Sequence, residues 1–144
     1  MEKIDSLRLD NQVCFPLYAL SKEITKLYRP LLEELDMTYP QYLVMMVLWE
    51  NDGLTVSELG DKLLLDSGTL TPLLKRLENK SYLNRKRKKE DERVVELFLT
   101  DQGFNLQQKA CTIPAEMLHK IDVKAEDIQK LKTLLDDMLA KIQQ

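Results

Sequence analysis

The sequence predicts a mostly helical protein with one small β-hairpin, and three observations support this fold class. Apolar residues recur at helical spacing over most of the chain. Only four glycines interrupt its 144 residues. One charged segment, from about residue 83 to residue 100, instead has the pattern of two short strands around a polar turn. The expected class is therefore all-α with a minor β component.

The length and composition are those of one soluble globular domain, residues 1–144. The chain is 44% hydrophobic and 31% charged, without an apolar run of membrane length or a secretory signal, which predicts a cytoplasmic protein that does not enter a membrane. Cys14 and Cys111 lie too far apart in such a chain to suggest a disulfide framework, and one histidine, His119, leaves a zinc site short of ligands. We expect no metal and no cofactor.

Capping residues and apolar spacing predict the first two helices. Helical spacing runs from Leu9 to Leu35, which indicates a long first helix. Thr38 is a good N-cap, and Pro40 falls in the first turn of a second helix that is apolar on nearly all sides. This second helix, which ends before Gly53, is expected to be the buried central helix.

Two shorter helices follow. The stretch 55–58 has the pattern of a capping box for a third helix that ends near Leu65, and Asp66 or Ser67 then caps a fourth helix. The inward stripe of the fourth helix consists of Leu70, Leu73, Leu74 and Leu77. Two helices joined by a tight turn indicate a helix-turn-helix, in which the N-terminal end of the second helix enters the DNA major groove.

The outer face of the fourth helix has side chains suited to that contact. Hydroxyl groups and guanidinium groups reach base edges and phosphates in the major groove. The residues left for this face are Ser67, Thr69, Thr71, Pro72, Lys75 and Arg76.

The charged segment after this helix predicts a two-stranded wing. The basic run 84–89 and the strand-like run 94–100 flank an acidic turn, and Arg85, Arg87 and Lys88 are expected to bind phosphates. Thr100 and Asp101 then cap a fifth helix, which is predicted to continue past Cys111 and to break or bend at Pro114. A sixth helix is predicted over residues 125–142.

The charge distribution supports a single polyanion-binding face. From Lys75 to Arg93 there are nine basic and four acidic residues, whereas the rest of the chain has 12 basic and 20 acidic residues. An acidic body with one basic strip suits double-stranded DNA, because phosphate neutralisation releases counterions and supplies affinity. A solvated lysine-rich turn is the simpler alternative for such a run.

The helices outside the winged module suggest a homodimer. A module from about residue 54 to residue 100 can bury its own core, yet residues 1–53 and 101–144 also have apolar stripes. Pairing with the same elements of a second copy covers these stripes. Two recognition helices then lie about 34 Å apart and bind a pseudo-palindromic operator.

The order of elements and the wing sequence resemble the multiple antibiotic resistance regulator (MarR) family. The resemblance rests on Asp91-Glu92-Arg93 leading into VVELFLTDQG and covers nearly the whole chain. It implies a transcriptional regulator, most often a repressor, and not an enzyme. It also implies that Arg93 enters the minor groove and that Asp91 holds it in place, which agrees with the negative potential of a narrow minor groove.

The N-terminal part is similar to the organic hydroperoxide sensing branch of that family. The similarity covers residues 9–50 and places the reactive cysteine of that branch at Cys14. It implies that Tyr28 and Tyr39 reach this sulfur from the partner subunit and that Tyr18 is another aromatic residue of the pocket. It also leaves two resolving groups open, namely Cys111 and a low-molecular-weight thiol.

The chemistry at Cys14 also follows from the residues themselves. A thiolate is the nucleophile toward a peroxide, and the first turn of a helix favours negative charge. Apolar neighbours such as Val13 and Phe15 favour an alkyl hydroperoxide over a small hydrophilic oxidant. Pro16, two residues further on, predicts that the helix begins near Cys14 or bends there.

Three other interpretations remain open. Cys14 is a small core residue in the simplest alternative. In another, the same DNA-binding fold responds to a non-covalent phenolic ligand between its dimerisation and DNA-binding parts. The third is a thiol peroxidase, although the sequence has no Pro-Thr-Cys motif and no arginine beside Cys14.

Overall fold

The computed structural model describes residues 2–143 and confirms the predicted class, because these residues form helices and one two-stranded antiparallel hairpin. The chain divides into two compact units, one ending at Ala110 and the other beginning at Cys111. Whether the chain acts as one domain with a DNA-binding module at 54–100 stays a prediction.

The first unit contains six helices and the hairpin within its described residues. Short 3-10 turns at Asp5–Leu7 and Leu9–Asn11 precede the first helix. The helices are α1 (Cys14–Glu33), α2 (Tyr39–Glu50), α3 (Val56–Leu63), α4 (Ser67–Asn79), α5 (Asp101–Asn105) and α6 (Gln107–Ala110), and the strands are β1 (Leu83–Arg87) and β2 (Val95–Leu99).

The predicted start of the first helix at Leu9 is wrong, because Leu9–Asn11 forms a separate 3-10 turn and α1 begins at Cys14. Pro16 is therefore the third residue of α1, where a missing backbone N–H costs no hydrogen bond within the helix. Helix α1 also contains Pro30 in its interior, and the apolar spacing continues past this proline without indicating a break.

The helix caps agree with the sequence in three cases and differ in one, and the Thr100 hydroxyl caps α5 by accepting the Gly103 N–H at 3.0 Å. Thr38 and Gln41 form a full capping box at α2. Asp66 caps α4 by accepting the Thr69 N–H at 2.7 Å. At α3 the box is incomplete: Thr55 accepts the Glu58 N–H, but the Glu58 carboxylate accepts the Thr55 hydroxyl at 3.0 Å. That hydroxyl makes a charge-assisted bond.

The core of the first unit lies between α2, α4 and the base of the wing. Val44, Met45 and Leu48 make α2 the buried central helix, as predicted. The leucine stripe of α4 is buried as well. Leu83 of β1 and Leu97 of β2 are both fully buried and anchor the wing to this core.

The wing is a regular hairpin. Its pairs run from Leu83 opposite Leu99 to Arg87 opposite Val95. At its base the Leu97 N–H donates to the Leu54 carbonyl at 2.8 Å, which joins β2 to the segment before α3. The wing is therefore fixed to the helix-turn-helix by backbone bonds, and its acidic turn lies at the free end.

The second unit contains α7 (Ile113–Ile121) and α8 (Ala125–Ile142). The prediction of one fifth helix continuing past Cys111 is wrong, because α5 and α6 end before it and residues 111–112 form a turn. Pro114 is the second residue of α7, since a proline fits the first turn of a helix. The predicted bounds of α8 are confirmed. Its outer side exposes Leu131, Leu134, Met138, Leu139 and Ile142.

None of the helices between residues 2 and 143 is both long enough and apolar enough for a membrane span.

Candidate nucleic-acid interface and thiol site

The N-terminal part of α4 presents the predicted base-reading residues to solvent. Ser67, Thr69, Pro72, Lys75 and Arg76 are exposed. The remaining member of the set, Thr71, is half-buried, and its hydroxyl donates to the Ser67 carbonyl at 2.7 Å. The cap is ionised, because hydrogen bonds from Thr69 hold the Asp66 pKa below its usual value.

A groove of about 820 Å³ separates helices α3 and α4 from the wing. Ser67 and Thr71 line it from α4, and Arg87 and Arg93 line it from the wing. The two hydroxyl residues of α4 and the two arginines of the wing are about 20 residues apart in sequence. The arrangement of helix and wing brings them to one concave face. Hydroxyl and guanidinium groups on one face can donate hydrogen bonds to the acceptor atoms of DNA bases and phosphates.

Asp91 and Arg93 form an ion pair at the tip of the wing. The Asp91 carboxylate accepts three hydrogen bonds from Arg93: from the backbone N–H at 3.1 Å, from Nε at 3.1 Å and from Nη2 at 3.3 Å. These bonds hold the Asp91 pKa below its usual value, with a further contribution from Lys88. The Arg93 side chain is nevertheless 90% exposed. The arginine is therefore both held and accessible.

Arg85 is half-buried at the same groove and is paired with Glu78. Its Nε and Nη2 donate to Glu78 Oε1 at 3.2 and 3.0 Å, and its backbone N–H donates to Glu78 Oε2 at 3.1 Å. Burial raises the Glu78 pKa, but the hydrogen bonds and the charge of Arg85 outweigh it and leave the pKa lowered. Arg85 thus connects β1 to the last turn of α4, a role that the sequence reasoning missed.

The two other predicted phosphate contacts, Arg87 and Lys88, are placed differently. Arg87 is exposed, and its guanidinium donates to the Glu92 carbonyl across the turn at 2.8 Å. Lys88 is half-buried, and its backbone N–H donates to the Val94 carbonyl at 2.9 Å. Both lie beside the acidic turn whose tip holds Arg93.

Cys14 is exposed and is the first residue of α1. The N-cap residue, Val13, supplies no side-chain hydrogen bond to the first turn. The partial positive charge of this helix end therefore lies at the thiol without a capping oxygen to offset it. Tyr18 follows one turn later on the same face, is 63% exposed, and has the Lys22 ammonium 5.1 Å from its ring centroid.

Tyr28 and Tyr39 lie together but not beside the cysteine of the same chain. Their ring centroids are 4.7 Å apart, and Tyr42 completes a cluster at 5.9 Å from Tyr28 and 6.3 Å from Tyr39. Cys14 and Tyr28 are both in α1, and at about 1.5 Å per residue they are roughly 21 Å apart along its axis. The pair can contact a Cys14 thiol only if that thiol belongs to another chain.

The phenol groups of this cluster are hydrogen-bond donors near neutral pH. Burial, followed by the charges of Tyr39 and Tyr42, raises the Tyr28 pKa to about 12. Burial raises the Tyr39 pKa as well. Protonated phenols donate hydrogen bonds, and a thiolate is an acceptor of them.

Cys111 lies exposed in the turn between α6 and α7, not within a helix as predicted. Among residues 2–143, no group of three or more His, Cys, Asp or Glu side chains is arranged to hold a metal ion.

Comparison with known proteins places this fold in a family. A family model described as transcriptional regulator SarA/Rot matches residues 26–110. The organic hydroperoxide resistance transcriptional regulator of Bacillus subtilis (strain 168) is 49% identical over 142 residues, which are 99% of this chain and 97% of that protein. The chain belongs to the MarR family of transcriptional regulators.

Two solved structures show the same MarR family fold. Reduced AbfR bound to DNA matches with a TM-score of 0.81 at 31% identity, over 99% of this chain and 100% of that chain. Overoxidized AbfR bound to DNA matches with a TM-score of 0.79 at 33% identity, over 98% and 99%. The resemblance inferred from the wing and from the N-terminal part is confirmed.

Proposed function

We propose that this MarR family regulator binds a pseudo-palindromic operator as a homodimer and releases it when an organic hydroperoxide oxidises Cys14. One observation carries the DNA part, namely that Ser67 and Thr71 of α4 line one groove with Arg87 and Arg93 of the wing. A helix end and a wing that flank one groove match the placement of a helix in the major groove with an arginine in the adjacent minor groove.

The contacts divide by chemistry. The exposed N-terminal residues of α4 contact base edges, and Arg93, held by Asp91, enters the minor groove. Arg87 and Lys88 contact phosphates, whereas Arg85 acts by fixing β1 to Glu78. AbfR, which shares this fold, has been solved on DNA in reduced form.

The exposed apolar side chains support the homodimer. Before and within α1 these are Ile4, Leu7, Leu9, Val13, Phe15, Leu17 and Leu20. On α8 they include Leu134 at 62% and Ile142 at 76% exposure. Exposed apolar side chains that recur along a helix mark an interface, and two copies of one such surface pair with two-fold symmetry.

The dimer also completes the thiol site. Because Cys14 and the Tyr28–Tyr39 pair are roughly 21 Å apart within one chain, the phenol donors for each thiolate come from the partner subunit. Two such sites form per dimer. A local chemical change at either thiol therefore acts directly on the contact between the two chains, which sets the spacing of the two α4 helices.

The oxidation proceeds in two steps. The Cys14 thiolate attacks the distal oxygen of the hydroperoxide, so that an S–O bond forms as the O–O bond breaks and the product on Cys14 is sulfenic acid. The alkoxide leaves and takes a proton from water to become the alcohol. A second thiol then attacks the sulfenic sulfur, so that a disulfide forms and water leaves. Cys111 and a low-molecular-weight thiol are both candidates for the second step. Either product removes the thiolate that accepts the tyrosine hydrogen bonds.

Operator binding with and without an organic hydroperoxide tests this proposal. The operator is a duplex selected by the wild-type protein from a random pool. We expect the reduced protein to bind and the oxidised protein to release, and Cys14→Ser to bind under both conditions. Release from Cys14→Ser would contradict the assignment of the sensor. Mass spectrometry must accompany the assay, because overoxidized AbfR has been solved on DNA.

Cys111→Ser separates the two resolving thiols. If Cys111 resolves, this variant stops at sulfenic acid or a higher oxide and shows no intersubunit disulfide. If a small thiol resolves, the variant releases the operator as the wild type does when that thiol is added. Measurement of a small-thiol adduct on Cys14 by mass distinguishes these outcomes.

A cavity favours a second candidate, a regulator that responds to a non-covalent ligand. The cavity has a volume of about 410 Å³, and its lining includes the apolar residues Leu32 and Met37 and the cations Arg29 and Lys80. The carboxylates Glu33 and Asp36 line it as well. Apolar side chains beside two cations suit a phenolic carboxylate. Salicylate that releases the operator from Cys14→Ser as well as from wild type would support this candidate and make the thiol incidental.

A further inference from the structure

A network of four side chains fastens the recognition helix to the turn between α1 and α2. Lys80 follows the last residue of α4, and its Nζ donates to the Asp36 carbonyl at 2.6 Å and to Gln41 Oε1 at 3.3 Å. It also lies 3.7 Å from the Asp36 carboxylate. Beside it, the buried Tyr82 hydroxyl donates to the Leu35 carbonyl at 2.8 Å. We call these contacts the Lys80 clamp.

The acceptors of the clamp are fixed before Lys80 reaches them. Gln41 is 1% exposed, and its Oε1 already accepts the Thr38 N–H at 3.0 Å as half of the capping box of α2. Leu35 and Asp36 carry carbonyl groups just beyond the C-terminal end of α1, where the helix dipole favours a cation. The ammonium thus joins the ends of three helices, α1, α2 and α4.

The same end of α2 holds the tyrosine pair. Tyr39 is the first residue of α2, between the cap Thr38 and Gln41 of the capping box, and its ring lies 4.7 Å from that of Tyr28. Tyr39 and Lys80 also line the cavity of about 410 Å³. Tyr39 and Gln41, which accepts a hydrogen bond from Lys80, thus share the first turn of α2.

We propose that Lys80 and Gln41 are positioning residues that couple the surroundings of Tyr39 to the recognition helix. A displacement of the Tyr28–Tyr39 pair shifts the first turn of α2, and the clamp transmits this shift to the C-terminal end of α4. The coupling rests on the proposed function in one respect, namely that α4 binds the operator. It holds whether the displacement comes from oxidation of Cys14 or from a ligand in the cavity.

A double-mutant cycle on the reduced protein tests the coupling. Operator dissociation constants are measured by fluorescence anisotropy for wild type, Lys80→Met, Tyr39→Leu and the double variant over a series of salt concentrations. We expect each single substitution to weaken binding and the double variant to bind at least about threefold better than the product of the single effects predicts. Lys26→Met, an exposed lysine on α1, is the matched control and should combine additively with Tyr39→Leu.

The salt dependence separates positioning from phosphate binding. A clamp residue leaves the slope of log affinity against log salt unchanged, whereas loss of a phosphate contact reduces it by about one. Additive effects, or a reduced slope for Lys80→Met, would overturn the proposal. If Lys80→Met does not fold, Tyr82→Phe replaces it, because it deletes one hydroxyl and keeps the ring.

The same samples keep this inference apart from the thiol switch. A wild type that binds the duplex and keeps it after peroxide treatment contradicts the switch alone, since the cycle uses only reduced protein. Additive substitutions in a wild type that does release contradict the coupling alone. A wild type that selects no duplex contradicts the proposed function and the clamp together.

Discussion

Replacing Asp91 by asparagine tests whether the wing arginine is held ready for DNA. The carboxylate accepts three hydrogen bonds from Arg93, and the arginine side chain remains 90% exposed. Asparagine keeps the shape of the side chain but offers one acceptor oxygen and turns an N–H₂ group toward the guanidinium. The change therefore releases Arg93 while removing one negative charge from a surface proposed to face phosphates.

The change in charge and the loss of preorganisation predict opposite effects of this substitution on operator affinity. Loss of a negative charge strengthens the attraction to DNA. Release of Arg93 weakens binding, because an arginine side chain has roughly 2 kcal/mol of rotamer entropy that must be lost again on entering a groove. If Asp91 has already removed about half of that entropy, Asp91→Asn weakens operator binding about fivefold. Arg93→Ala, which deletes the inserted group, should weaken it more than about tenfold.

Glu90→Gln is the matched control. Glu90 is exposed in the same turn, and its replacement removes the same charge. Anisotropy titrations at fixed moderate salt should show Glu90→Gln binding as tightly as wild type or up to about twofold more tightly. Equal or tighter binding by Asp91→Asn would refute the preorganisation argument and leave the ion pair as a surface contact only.

Three further predictions concern the framework of the site. Glu78→Gln should lower the free energy of unfolding by about 1 kcal/mol at neutral pH, measured by urea titration. Since the Glu78 pKa is lowered, the ionised carboxylate stabilises the fold above pH about 4.3, and this stabilisation is lost as pH falls below that value. The variant should therefore lose less stability than the wild type between neutral and acidic pH. Tyr28→Phe should flatten the alkaline limb. Burial raises the Tyr28 pKa to about 12, so the wild type loses stability as pH rises from about 10 to about 12, and phenylalanine has no such proton to lose. Gly103→Ala should lower the free energy of unfolding by roughly 3 kcal/mol in thermal melts, because a Cβ there overlaps the Tyr82 carbonyl oxygen. Gly68→Ala is the control: its Cβ would lie 3.4 Å from the nearest atom, an Asp66 carboxylate oxygen, and it should be neutral or stabilising in the same melts.

The parts of the fold that depend on local signals were predictable from the sequence. Thr38 and Asp66 cap their helices through hydrogen bonds over three residues, so the pattern that reveals them is short. The leucine stripe of α4 and the bounds of α8 follow from helical spacing alone. The 3-10 turn at Leu9–Asn11 was misread, because apolar spacing continues through it without distinguishing a tighter turn from an α-helix.

The site residues that depend on tertiary contacts were not predictable in the same way. Arg85 was assigned to DNA because it lies in a basic run, but the hairpin turns its side chain back to Glu78. Lys80 was counted only as a charge, although its partners lie about 40 residues earlier in sequence. No spacing rule relates such residues, since the loop between them is closed by the packing of α2 against α4.

The tyrosine cluster shows why the proposed sensor must be a property of two chains. A single α1 places Cys14 at its beginning and Tyr28 more than halfway along it, and a rigid helix of 20 residues cannot fold back to join them. Assembly is therefore a condition for the thiol environment and not only for operator spacing. The phenols also stay protonated by burial in each chain alone, so the donor side of the site is formed before dimerisation. In the proposed dimer, the partner chain then supplies only the Cys14 thiolate, and the proposed oxidation removes this hydrogen-bond acceptor.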